Sequence, residues 1–398
     1  MKKTSRPSLL RARNGHEARV SYAELFFDLI YVFAVTQLSH RLLADLSLNG
    51  AIETLVLWFA VWLAWQYTSW VTNWFNPETL PIRSLLFAIM LAGLLMAAAI
   101  PDAFGARGLI FALSYAAIQV GRTVFVLISL GRRHALTPNF TRMLGWLIIS
   151  AAFWIAGGLL PEQRLMLWVV AVLCEYLSPM IGFYLPGLGR SRTDEWTIEG
   201  GHLAERCQLF VIVALGETLL VTGATLAHEH AWEWPVLIAF LVSFVGALAM
   251  WWMYFDTSSK DGSAAIVRSD DPGRIGAYFH YVHVIIVAGI ILCAVGNELV
   301  IAHPDQRIAS LSAAVLLLGP AIYLLGNGIY KQVVYRRFPL SHIGGLVLLA
   351  VLAPLSYLTD LLMVSGLTSA LLVLVAGWEA CSRRAVRMNY MDEHASNF

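Results

Sequence analysis

Charge is what this chain lacks. Asp, Glu, Lys and Arg together make up 13 % of 398 residues, about half the roughly 25 % of a soluble domain. That scarcity excludes a soluble enzyme, a disordered chain and a nucleic-acid binder. Net charge is +1, with 27 basic and 26 acidic side chains, so no long-range field points to an acidic partner. Cysteine is scarce too. Cys174, Cys207, Cys293 and Cys381 lie in or at the end of apolar stretches without metal-site spacing, as packing residues do. What the chain has is apolar surface: 58 % hydrophobic residues and 30 glycines.

The composition implies an all-α polytopic membrane protein. A bilayer core of roughly 30 Å needs about 20 apolar residues per helix. The apolar runs are too long and continuous for barrel strands. Twelve spans are expected, at about 21–43, 51–73, 81–100, 107–130, 141–160, 165–185, 203–226, 234–256, 276–300, 310–331, 341–359 and 363–381. Pro, Gly and Asn punctuate the gaps. Residues 1–20 form a basic tail without an apolar run, so an uncleaved first helix is expected rather than a signal peptide. Residues 382–398 form a second tail. With both termini cytoplasmic, 21 of the 27 basic residues fall on the inner side and four outside, while Arg122 and Arg206 lie within spans. That bias places the protein in the cell membrane as a multi-pass chain.

The halves 21–187 and 202–381 resemble each other, as two parallel six-helix repeats would. Ala92-Gly93 aligns with Ala288-Gly289, Asp102 with Glu298, Phe75-Asn76 with Phe255-Asp256, Ala23-Glu24 with Ala204-Glu205, and Glu175 with Glu379.

An ionisable side chain in hydrocarbon is costly and marks a candidate site. The candidates for an ion, proton or solute site are Glu24, Asp28, Arg122, Glu175, Glu205, Arg206, Glu217, Asp256 and Glu298. Glu24 and Asp28 are four apart, on one helix face. Close together they repel, unless an arginine is shared or one holds its proton. Arg122 and Arg206 could each be that partner. The pair is either a protonatable or cation-binding site, or a structural ion-pair network. Glu217 sits near mid-span beside Gly216, with no basic partner four residues away. His280 and His283 share a face but lack a third ligand, so packed histidines are expected. The His228-Glu229-His230 string reads as a solvated loop. Trp58, Trp62 and Trp65 stripe one face of the second span and read as lipid-facing packing, with Trp251 and Trp252 in an interfacial belt. Arg268-Ser-Asp-Asp-Pro reads as a solvated loop. No cofactor is implied, no metal set is defined and no catalytic residue stands out.

The strings AELFFDLIYVFAVTQLSHRL (23–42), HLAERCQLFVIVALGETLLVTG (202–223), WWMYFD (251–256) and AGIILCAVGNEL (288–299) resemble the bacterial low temperature requirement protein A (LtrA) family, over about residues 18 to 380. The family name implies growth at low temperature, not a chemistry. Its motif acids fall on Glu24, Asp28, Glu205, Glu217 and Asp256. More loosely, FFDLIYVFAVTQL (26–38) is similar to the first-helix motif of a cation-channel family built from two parallel six-helix repeats. Phe26, Asp28, Ala34, Thr36 and Leu38 match; Phe27 replaces a serine and Gln37 departs. The expected activity is transport of a small ion or solute by intramembrane carboxylates, with the bilayer as partner. The alternatives are a membrane enzyme acting on a lipid or prenyl substrate, and a non-catalytic membrane stress factor.

Overall fold

The computed structural model describes residues 9–11, 19–193, 196, 198–229, 231–256, 259–267 and 269–395, with side chains to 382 except at 259, 260, 263 and 267. Most of the basic amino-terminal tail, His230 and Arg268 lie outside the described residues. Among the described residues there are helices, turns and isolated bridges, but no strand.

All twelve expected segments are helical. They are α1 (Tyr22–Ala44), α2 (Leu48–Trp74), α3 (Leu80–Ala99), α4 (Gly108–Ala116) continued by α5 (Arg122–Leu130), α6 (Thr137–Leu159), α7 (Arg164–Met180), α8 (Gly200–His228), α9 (Trp234–Trp251), α11 (Pro272–Ala302), α12 (Ser310–Tyr335), α13 (Leu340–Ser356) and α14 (Leu361–Ala395). The short α10 (Ser259–Val267) lies in what the sequence reads as a loop. Among the described residues ten helices are long and apolar enough to cross a membrane, against the twelve expected. The other two segments, α7 and α13, have 17 residues each.

Local sequence explains the boundaries. Ser21 caps α1, and Glu24 at its third position closes a reciprocal capping box. Asp271 Oδ1 accepts from the Arg274 amide at 2.9 Å and so opens α11. One acid of the Arg268–Pro272 string, Asp271, thus serves a helix start. A π-turn, Ala117–Gly121, joins α4 to α5 without breaking the helix.

The chain forms two compact units. The first comprises 1–210 and 266–280, the second 211–265 and 281–398. In the first, α1 packs on α2 and α3, and α6 on α4 and α7. Arg164, buried at the start of α7, donates to the carbonyls of Gly157 and Gly158 at the end of α6 (2.9 and 3.3 Å). It thereby supplies the donors that a helix C-terminus lacks. In the second, α9 packs on α14, and α12 on α13 and α14. There α11 and α12 meet backbone to backbone. A Cβ on Gly289 would lie 2.5 Å from the Tyr323 nitrogen, so glycine is required, as at close helix crossings in lipid.

Exposed apolar side chains cover the outer faces: Leu91 is 63 % exposed, Ile128 77 % and Leu220 66 %. Trp251 and Trp252 are each 42 % exposed. Trp58, Trp62 and Trp65 are not lipid-facing. They are buried, at 3, 0 and 0 % exposure, because α2 is interior on nearly every side in its second half.

Candidate functional site

Glu24 and Asp28 lie on the inner face of α1, one turn apart, and Arg206 of α8 reaches both. Its Nη2 donates to Asp28 Oδ1 at 2.6 Å. Its Nη1 lies 3.5 Å from Glu24 Oε1, an ion-pair distance without a hydrogen bond. Arg206, not Arg122, is therefore the shared cation that the two carboxylates need. Trp65 Nε1 donates to the same Asp28 oxygen at 2.7 Å.

The two acids differ in how fully they are satisfied. Glu24 accepts from Arg11 (2.9 Å), from the Ser21 amide and hydroxyl (2.9 and 2.8 Å), and contacts His202 Nε2 (2.9 Å). Arg11 is held by Thr72 O at 2.6 Å. Asn73 fixes the His202 tautomer. Its Oδ1 accepts from the Glu199 amide, so its Nδ2 faces Glu199 O and His202 Nδ1. An imidazole accepting at Nδ1 carries its proton on Nε2, which faces Glu24 Oε1 at 2.9 Å and also lies 3.2 Å from Arg11 Nη2. Asp28 Oδ2, in contrast, is buried with no hydrogen-bond partner among the described residues, as is Arg206 Nε.

Arg122 and Glu175 form a second cluster in the same unit. Glu175 accepts from Tyr115 Oη (2.5 Å), Gln119 Nε2 (2.8 Å), Trp154 Nε1 (3.1 Å) and Ser150 Oγ. Gln119 Oε1 accepts from Arg122 Nη2 at 2.5 Å. The amide thus stands between carboxylate and guanidinium as a polar relay. Arg122 Nη1 also donates to Thr68 Oγ1 at 3.1 Å. Gln119 lies in the π-turn, which points it at both groups; such turns recur at functional sites.

The remaining candidates stand apart. Glu205 is half-buried and accepts from the Val20 amide at 3.3 Å. Glu217, Asp256 and Glu298 belong to the second unit. Glu217 is 4 % exposed and makes no hydrogen bond or ion pair among the described residues. Asp256 is exposed at the end of a π-turn and Glu298 is half-buried. His280 and His283 are packed, both fully buried and in different units. His280 lies 5.7 Å from Trp65, and His283 Nε2 lies 2.6 Å from Tyr254 Oη. Among the described residues no three His, Cys, Asp or Glu side chains gather as a metal set, and the four cysteines are free.

Sequence reasoning missed several partners. Lys331, one of the 21 basic residues that the sequence places on the inner side, is 2 % exposed in α12 and pairs with Glu379 of α14. His342 Nδ1 lies 3.3 Å from the same carboxylate, and its Nε2 lies 2.9 Å from Asn327 Oδ1. Arg11, assigned to the tail, is part of the Glu24 cluster. His202 is adjacent to the recognised acid-arginine string, and only its spacing of four from Arg206 signals a shared face.

Trp65→Phe removes one charge-assisted hydrogen bond to Asp28 while keeping the ring. It is expected to cost about 1.5–3 kcal/mol in unfolding free energy, measured by denaturant titration in detergent. A loss below about 0.5 kcal/mol would show that the bond is absent.

The sequence profile of the bacterial low temperature requirement A protein (LtrA) matches residues 19–377. A Rhizobium meliloti (strain 1021) protein, described as uncharacterized, is 39 % identical over 382 residues, covering 95 % of this chain and 93 % of the relative. No solved structure matches the chain.

Proposed function

The chain belongs to the bacterial low temperature requirement A family, and from that premise we propose that it moves a small ion or solute across the cell membrane by intramembrane carboxylates and their arginine partners. One observation carries this reading. The Asp28–Arg206 pair is buried yet leaves Asp28 Oδ2 and Arg206 Nε without partners among the described residues. A pair that serves packing alone saturates its polar atoms, as Glu24 does. Open valences at 2 and 0 % exposure suit a site that takes up a ligand or water.

The alternatives fit less well. An enzyme acting on a lipid or prenyl substrate needs acids open to the interface, whereas Asp28 and Glu175 are 2 and 1 % exposed. A stress factor with purely structural charges accounts for Glu24 and Glu175 but not for Asp28.

The same reading takes the twelve helical segments as twelve spans in two six-helix repeats, with both termini cytoplasmic. The buried acids support the repeat. Glu175 on the last helix of the first half draws its partners from the two preceding segments, α4–α5 and α6. Glu379 on α14 draws its own from α12 and α13. Tyr115 and Gln119 stand four apart on α4 and its π-turn, as Tyr323 and Asn327 do on α12.

The test is uptake of K⁺, Na⁺ or H⁺ into proteoliposomes. Asp28→Asn and Glu217→Gln are each expected to lower flux at least tenfold while the protein still elutes as a folded species. Wild-type flux in both variants would overturn the assignment.

A further inference from the structure

We propose that the Asp28–Arg206 pair binds one small monovalent inorganic anion together with one proton, so that the two cross the membrane as an electroneutral pair. The inference rests on the transport reading above and names its ligand.

The geometry starts from one turn of α2. Arg122 donates to Thr68 and lies 3.4 Å from Ala64 O. Trp65 holds Asp28, and Ser69 Oγ lies 3.3 Å from Arg206 Nη2. Ala64 with Thr68, and Trp65 with Ser69, are two stripes each spaced by four and offset by one residue. The two guanidinium groups therefore stand at one height on neighbouring faces of α2, about 100° apart. Each has an Nε without a partner among the described residues, and the Tyr31 hydroxyl, one turn beyond Asp28 on the same face, is also open. These side chains are 2 % exposed or less.

Charge decides what such a place accepts. Arg11 and Arg206 balance Glu24 and Asp28, Arg122 balances Glu175 through Gln119, and His202 is neutral by its tautomer. A metal cation finds no uncompensated carboxylate here. The open donors of the pair, Arg206 Nε and Nη1, suit an anion, and the open acceptor, Asp28 Oδ2, suits a proton.

The two ligands depend on each other. A proton taken from water onto Asp28 Oδ2 leaves Arg206 a buried cation without its counter-ion, which is strongly unfavourable. An anion on the free guanidinium edge restores the balance. An anion without the proton leaves an excess negative charge. Each ligand therefore raises affinity for the other by the same factor. On release the proton returns to water, and no other bond changes.

No neighbouring group takes over this role. On α1, Glu24 is saturated. On α8, His202 faces Glu24 and Cys207 is a buried thiol. From the amino-terminal segment, Arg11 faces Glu24; from α5, Arg122 faces Gln119; from α11, His280 faces the tryptophans. On α3, Arg83 is exposed and paired with Glu78.

The test uses the full chain in proteoliposomes with voltage clamped at zero by K⁺ and valinomycin and a pH dye inside. An inward nitrate or chloride gradient is expected to acidify the lumen. The rate is expected to fall at least tenfold in Asp28→Asn and in Arg206→Gln. A second measurement needs no variant: nitrate affinity of the wild type, from its shift in melting temperature, is expected to be at least tenfold tighter at pH 5.5 than at pH 8. Equal affinity at the two pH values would overturn the coupling. K⁺ or Na⁺ flux without anion-driven acidification would overturn this inference and leave the transport reading standing. Absence of all flux from folded protein would overturn both.

Discussion

Arg206→Ala is expected to lower the unfolding free energy by about 3–5 kcal/mol, the range for breaking a buried ion pair by removing one partner. The loss falls on Asp28. Glu24 keeps Arg11, Ser21 and His202, whereas Asp28 keeps only Trp65. Adding Asp28→Asn to the Arg206→Ala chain removes the stranded charge, so the double variant is expected to be more stable than the single one. The cycle should give a coupling of about 1–3 kcal/mol. Denaturant or thermal unfolding in detergent measures all four proteins. Additive losses would show that the two side chains do not interact.

Glu175→Leu is expected to cost a similar amount, about 3–5 kcal/mol, for a different reason. Four donors from α4, the π-turn and α6 converge on this carboxylate, and Arg122 reaches it through Gln119. An apolar replacement leaves those donors and a buried guanidinium unsatisfied. Glu175→Gln is not benign either. Gln119 Nε2 and Trp154 Nε1 are obligate donors, one to each oxygen, so an amide in that place sets donor against donor on one side. Its expected cost is about 1–3 kcal/mol, less than leucine because the other oxygen survives. Wild-type stability in Glu175→Leu would remove the cluster from the account.

The helical segments were legible because hydrocarbon imposes its own arithmetic. About 20 apolar residues bounded by Pro, Gly and Asn have one reading in a bilayer. The acids were legible because each is costly there. Their partners were less so. The shared face of Glu24 and Asp28 follows from spacing, but the choice of Arg206 over Arg122 depends on how α8 packs, which periodicity does not fix. The direction of Arg122 was hidden by the π-turn: one extra residue at Ala117–Gly121 turns α5 about 100° from a straight continuation of α4. The tryptophan stripe misled because a helix apolar all round reads alike whether lipid or protein surrounds it. Lys331 misled because a cation near a span end resembles a loop charge until its partner on α14 is seen.

Length carries a last consequence. At 1.5 Å per residue, α13 rises only about 26 Å, while hydrocarbon is about 30 Å thick. Taken as a crossing span, as proposed above, a helix this short draws the surrounding leaflets inward, at a cost of fractions of a kcal/mol for each ångström. Acyl chains that straighten on cooling thicken the film and enlarge that mismatch. On that reading the protein is coupled to the thickness of its lipid through α13, whose His342 lies beside the Lys331–Glu379 pair.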